Sequence, residues 1–509
     1  MEADIIIYNG LVRTPLGVME ALAVTNGRIT AVGSNEKILR YASADTILIN
    51  AGRRSVLPGF TDSHIHITSL GFSLERIDLS GTRSIEEIKQ LVSAKASKTK
   101  PGEWIIGRGW DQERLAEKRM PKAGDLDEAA PKHPVLLIRV CGHIAVANTK
   151  AMEFLKSYKP NGLFAEEELA KVMEAMPKPS LEDRKQAVKK AIKLLVKNGI
   201  TSIHAMSCSK EDVKALTDME NLPVGMHIYM NPKDYVEIDT EKIKEKSDGR
   251  IRIAGVKLFL DGSLGARTAA LHRPYQDAPG ENGVLLMDHE KASKIMREFE
   301  KEGAQIAVHA IGDRAVNTAL KAFKKLRCPT KHRIEHASLL SEKLLSLLLE
   351  VKPIVSVQPQ FIISDFWAFS RLGEDRIRWL YPFKTLLNKG LLVVSGSDSP
   401  VEEPNPLLGI YAAVTRGMYE NVKTYEYTRG EALSVDEALL TYTVFPLKAV
   451  GLKSGGVINP GGEADIVILS ENFNTAPVSE IKKIRVAATI AKGRLVYYSP
   501  SIVKVKIRG

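Results

Sequence analysis

Cysteine is almost missing from this chain: three residues in 509, Cys141, Cys208 and Cys328, with no CxxC among them. That scatter argues against a disulfide framework and against a cysteine-ligated zinc site, and it sets a reduced cytoplasm as the expected location. Long apolar runs are missing too. None approaches the roughly 18 residues needed to cross a bilayer, so no membrane segment is expected. The opening "MEADIIIYNG" lacks the basic, apolar and small-residue zones of a secretion signal. There is no low-complexity tract and no internal repeat. Glutamine is scarce, seven residues beside many Lys and Glu, a composition that fits a heat-adapted source. Clustered positive charge is also lacking. The net charge is +11, but Lys and Arg are spread along helical patterns such as "EDRKQAVKKAIKLLVKNG" and mixed with acids. A nucleic-acid footprint is clustered, so no nucleic-acid partner is expected.

What the chain has instead is a regular series of short apolar runs. After "SVLPGFTDSHIHI" come "GITSIHAM", "PVGMHIYM", "IRIAGVKLFLDG", "AQIAVHAIGD", "HRIEHASL", "KPIVSVQPQF" and "GLLVVSGSDSP". Each is aliphatic or β-branched for several residues, as a strand buried on both faces must be. Helical patterns separate most of them, which implies a parallel sheet. Eight runs point to an α/β fold, a (β/α)8 barrel over residues 58–78 and 185–453. Short strands at 1–57 and 454–509 are too brief to bury separate cores and are expected to pair into one β-sandwich. The long gap after the first run makes 79–184 an inserted α/β subdomain over the active site.

Polar residues fall near the ends of these runs: His64, His66, Lys257, His309, His336, Gln358 and Asp398, and also His204 and His227. Barrel active sites are built at the C-terminal ends of the strands. Alternate residues of a strand share a face, so His64 and His66 point the same way. Imidazoles and one carboxylate converging there suit a borderline divalent cation such as zinc. Lys257 is the odd member. Its side chain points away, or it is neutral through burial, or it has taken up carbon dioxide as a carbamate. The sequence leaves these three open.

Taken together, "LPGFTDSHIHI", "GWDQ", "GHIAVANTKA", "VKLFLDGSLGARTAAL", "VHAIGDRAVNTAL", "HRIEHASLL", "SVQPQF", "SGSDSPVEEPNPLLGI" and "GGEADIVIL" resemble the amidohydrolase superfamily. The resemblance is to its amidohydrolase family 3 branch, which contains N-substituted formamide deformylases. It implies that His64, His66 and Asp398 bind one metal and His309 and His336 a second, with carboxylated Lys257 bridging. Some relatives hold one metal, so one or two divalent cations per chain are implied. The implied reaction is hydrolysis of an amide or N-formyl bond of a small organic substrate by metal-activated hydroxide. Asp398 would serve as general base, with His336 on the metal or the oxyanion. Trp110, Asp111, His143, Asp261, Arg267 and Asp365 are candidate substrate contacts, each with a plain structural alternative such as a packed turn or a helix cap. His204 and His227 are read as core or supporting residues. The competing readings are a mononuclear deaminase or cyclic-amide hydrolase on the same barrel, and a binding homologue without catalysis. Relatives of this type are often homodimers.

Overall fold

The computed structural model describes residues 2–139, 144–246, 249–452 and 455–507. The chain divides into two compact units, Met1–Ile67 with Ala191–Gly509, and Thr68–Lys190.

The first unit contains a TIM barrel. Its eight parallel strands are β1 (Phe60–Ile65), β2 (Ile200–Cys208), β3 (Gly225–Met230), β4 (Ile251–Phe259), β5 (Gln305–Ala310), β6 (Arg333–His336), β7 (Ile354–Val357) and β8 (Val393–Ser395), in sequential order around the sheet. The ring closes just beyond β8, where the amide of Asp398 donates to the His64 carbonyl (2.7 Å) and that of His66 to the Ser399 carbonyl (2.9 Å). Gly396 makes this closure possible, because a Cβ there would lie 2.4 Å from the His64 amide nitrogen. The continuous apolar runs follow from burial on both faces: every residue of β1, β6, β7 and β8 is buried. His204 and His227 stand side by side in the middle of β2 and β3 and not at strand ends, their rings 5.4 Å apart edge to face.

Strands from both ends of the chain form two further sheets in the same unit. One runs Lys504–Ile507, Ile47–Asn50, Ile5–Tyr8, Ala21–Thr25, Arg28–Gly33. The other runs Arg494–Tyr498, Val486–Ala491, Ile466–Leu469, Ser55–Pro58, Leu11–Thr14, Gly17–Met19. Period-two alternation explains "IIIY". Ile5 and Ile7 enter the core between the sheets with Val56, Ile466 and Ile490, while Ile6 packs on the other face against Ile38 of a covering helix.

The second unit is a five-stranded mixed sheet, Leu163–Ala165, Ile144–Ala147, Val135–Arg139, Ile105–Trp110, Ile77–Asp78, with helices packed on it. It extends past the expected 79–184 at both ends: Ile77–Asp78 supplies its edge strand, and the helix Leu181–Lys197 crosses its boundary. Among the described residues no helix is long and apolar enough to cross a membrane.

Candidate metal centre

Six of the expected side chains meet where the barrel strands end. The ligand atoms of His64, His66 and Asp398 lie within 4.8 Å of one another. Asp398 Oδ1 sits 3.3 Å from Nε2 of His64 and 3.2 Å from Nε2 of His66. Lys257, 1% exposed, brings Nζ to 3.3 Å from the same Nε2 of His64. His336 packs on His64 with ring centroids 5.0 Å apart, and His309 packs on His336 at 4.5 Å.

Each imidazole has one ring nitrogen committed to an oxygen. Nδ1 of His64 meets the Glu335 carboxylate at 2.5 Å, Nδ1 of His66 the Met206 carbonyl at 3.1 Å, and Nδ1 of His336 the Gln358 amide oxygen at 2.7 Å. His309 uses Nε2 instead, on the Gly262 carbonyl at 3.0 Å. In a neutral ring the nitrogen facing an oxygen acceptor carries the proton, which leaves the lone pair of the other nitrogen for a cation. Four imidazoles, one carboxylate and a buried amine form a donor set that fits a borderline divalent cation.

The local backbone is shaped for this purpose. His336 (φ 75°), Ala337 (φ 44°) and Asp398 (φ 56°) all adopt left-handed conformations that non-glycine residues enter at a cost of about 1–3 kcal/mol each. At His336 the turn breaks strand alternation just past Glu335. Both neighbours then serve the site, Glu335 from the barrel interior and His336 from the rim.

Burial disfavours the charged form of three of the imidazoles, His66, His309 and His336. Burial lowers the pKa of His66, its hydrogen bond with Asp398 opposing. Burial, reinforced by Lys257, brings His309 down to about 4, and burial with His309 beside it holds His336 well below the usual range. Burial also lowers Lys257 to about 8, against the pull of Glu335 and Asp398. For Asp398 burial opposes ionisation, but its close contacts with His64 and His66 outweigh it and hold the carboxyl well below the usual range.

These shifts have a consequence for acid stability. His309 and His227 each fall from 6.5 to about 4 on folding. Between those values the unfolded chain binds more protons, so stability rises with pH through this window and is lost as pH falls through it. Chelator-treated protein is expected to be about 2 kcal/mol less stable at pH 5 than at pH 7 for each of the two groups, read from denaturant midpoints.

Sequence reasoning missed the support beneath the ligands. Glu335 and Arg333 are fully buried inside the barrel. Arg333 Nε donates to Glu335 Oε1 (2.5 Å), its Nη2 to the Ser63 carbonyl (2.7 Å), and its Nη1 lies 2.9 Å from Nδ1 of His204. Burial alone would neutralise Glu335, but the Arg333 charge and the hydrogen bond with His64 hold it well below the usual range. Asp62 is a second such brace, accepting from Ser397 Oγ (2.6 Å) and from the Ser397 and His64 amides. The signal was available: in "HRIEH", period two places Arg333 and Glu335 together on the inner face.

The expected substrate contacts fare differently. Asp261 is buried and its carboxylate accepts from the amides of Ala270 (2.9 Å), Ile311 (3.0 Å) and Gly312 (2.8 Å), so it staples the loop after β4 to the loop after β5. Arg267 turns to Asp277, 3.0 Å away, which Arg371 also binds. Asp365 follows the short helix Phe361–Ser364 and accepts from Tyr381 Oη at 2.5 Å; burial pushes its pKa up to about 7. In the second unit, Trp110 is fully buried and donates Nε1–H to the Leu137 carbonyl (2.9 Å), a core role in place of a pocket wall. Asp111 pairs with Arg139 at 2.8 Å. His143 lies outside the described residues.

Known proteins resemble this chain in sequence and fold. An uncharacterized metal-dependent hydrolase from Pyrococcus horikoshii OT3 superposes with a TM-score of 0.81 at 34% identity, over 93% of this chain and 99% of that one. YtcJ of Bacillus subtilis (strain 168) is 30% identical over 94% of this chain and 96% of its own length. The N-substituted formamide deformylase of Arthrobacter pascens is 24% identical over 97% and 98%. The amidohydrolase family model matches residues 48–497. This chain belongs to the amidohydrolase family, whose members are metal-dependent hydrolases.

Proposed function

We propose that this chain hydrolyses a carbon–nitrogen bond, of amide or N-formyl type, in a small organic substrate, with Asp398 as general base. The reading rests on the arrangement of lone pairs: His64 and His66 close on Asp398, with His309, His336 and Lys257 adjoining. His64, His66 and Asp398 would hold one divalent cation and His309 with His336 a second, zinc being the best match to these ligand types. A cation held there lowers the pKa of a water and polarises a carbonyl.

The chain's own residues do the rest. Asp398 is ionised throughout the neutral range, and its carboxylate takes a proton from the attacking water and returns it to the departing nitrogen. Glu335, Met206, Gln358 and Gly262 hold the imidazoles in the tautomers that leave the inward nitrogens unprotonated. Lys257 has a pKa of about 8, so at that pH roughly half is free amine. That amine could add carbon dioxide with loss of one proton, and the resulting carbamate would offer its oxygens to a bound cation. The likeness to the formamide deformylase supports N-formyl amines as the first substrates to try.

The test is amine release from a panel of N-formyl, N-acetyl and cyclic amides, with and without chelator. Metal-dependent release from at least one class is expected. No cleavage of any amide, with ammonia released from an amino heterocycle instead, would overturn the reading in favour of a deaminase.

A further inference from the structure

The far end of the barrel, where the strands begin, holds an open cavity of about 650 Å3. Arg252 at the start of β4, Arg327 and Lys331 before β6, Lys352 before β7, and Lys448 stand around it. These residues are far apart in the sequence, so their convergence is invisible in the linear pattern that argued against any basic cluster. None of the five has a carboxylate partner among the described residues. Lysines in the nearby turn after Phe323 do, as Lys324 with Glu350 (2.6 Å) and Lys325 with Glu290. Two acids reach the cavity, Glu241 and Glu300. Glu300 is already satisfied by the amides of Arg327 (3.0 Å) and Cys328 (2.9 Å) and by Nε2 of His332 (3.1 Å).

Helix dipoles account for part of this charge. Lys352 follows the helix Glu342–Val351 and Lys448 lies in the last turn of Val444–Ala449, where cations are favoured. They do not account for Arg252 on a strand, or for Arg327 and Lys331. A second observation points the same way. His227, 7% exposed, lines the cavity with no hydrogen-bond partner among the described residues. With no protein partner committed, a ring N–H of His227 is free to donate to a ligand in the cavity.

We propose that this cavity binds a multiply charged anion, a phosphorylated small molecule of about nucleotide size. Its volume falls within the roughly 300–1,000 Å3 of small-molecule sites. Guanidinium groups match phosphate oxygens bidentately, lysines add point charge, and His227 supplies a neutral donor. The inference is independent of the hydrolase reading.

Calorimetric titration of the full-length, metal-loaded protein with AMP, pyrophosphate and adenosine tests it. At least one of the two phosphates is expected to saturate a single site, with adenosine silent. The Arg252→Gln/Lys448→Gln double variant is expected to weaken that binding at least about tenfold, while His66→Asn leaves it unchanged. Absence of saturable binding by either phosphate overturns the proposal. So does full affinity in the double variant, or loss of binding in His66→Asn, which would put the phosphate at the metal centre.

Discussion

Asparagine in place of Asp398 is expected to lower kcat/KM by at least about a thousandfold, since a positioned general base alone contributes roughly 10²–10⁴. The substitution changes one atom's charge and little else in volume. It removes the anion that both His64 and His66 face at 3.3 and 3.2 Å, so metal binding weakens together with turnover. The left-handed backbone at position 398 tolerates asparagine, and the amide of residue 398 keeps its bond to the His64 carbonyl. Loss of folding is therefore not expected. A circular-dichroism melt close to that of the parent, beside collapsed turnover, is the predicted pair of results. Full turnover in Asp398→Asn contradicts the general-base role.

Glu335→Gln is expected to have the largest effect on stability. It leaves the Arg333 guanidinium, fully buried, without a counter-charge, and breaking a buried pair in this way costs about 3–5 kcal/mol. It also replaces the carboxylate that accepts from Nδ1 of His64, and loss of such a partner weakens metal affinity by about 10–100-fold. The two effects separate in a double variant. Adding Arg333→Met removes the stranded charge and should restore much of the stability, while metal affinity stays low. Recovery of both would mean that Glu335 serves only packing inside the barrel. Denaturant midpoints and competition with a chelator give the two readouts.

The barrel was legible because strands buried on both faces must be continuous apolar runs, and their ends mark the site. His64, His66, Lys257, His309, His336 and Asp398 all stand where that rule puts them. The same rule misplaced His204 and His227, because apolar runs do not reveal where a strand stops. Glu335 was overlooked beside His336, since the turn at φ 75° that lets both serve one site is not written in their identities. Trp110 between glycines looked like a pocket wall, yet its ring is core and its N–H is taken by a carbonyl. Asp261 and Arg267 lie next to the site in sequence, but loop closure claims the first and an ion pair the second. Loop side chains answer to partners that only the folded chain brings near. The cations at the far end of the barrel were hidden for the same reason.

Metal content per chain, by elemental analysis of protein purified without chelator, tests the central claim most directly. At least one divalent cation per chain is predicted, lost in a His64→Asn/His66→Asn variant that retains the parent's fold. A chain that carries no metal and takes up none from added zinc would contradict the convergence of His64, His66 and Asp398 on a cation.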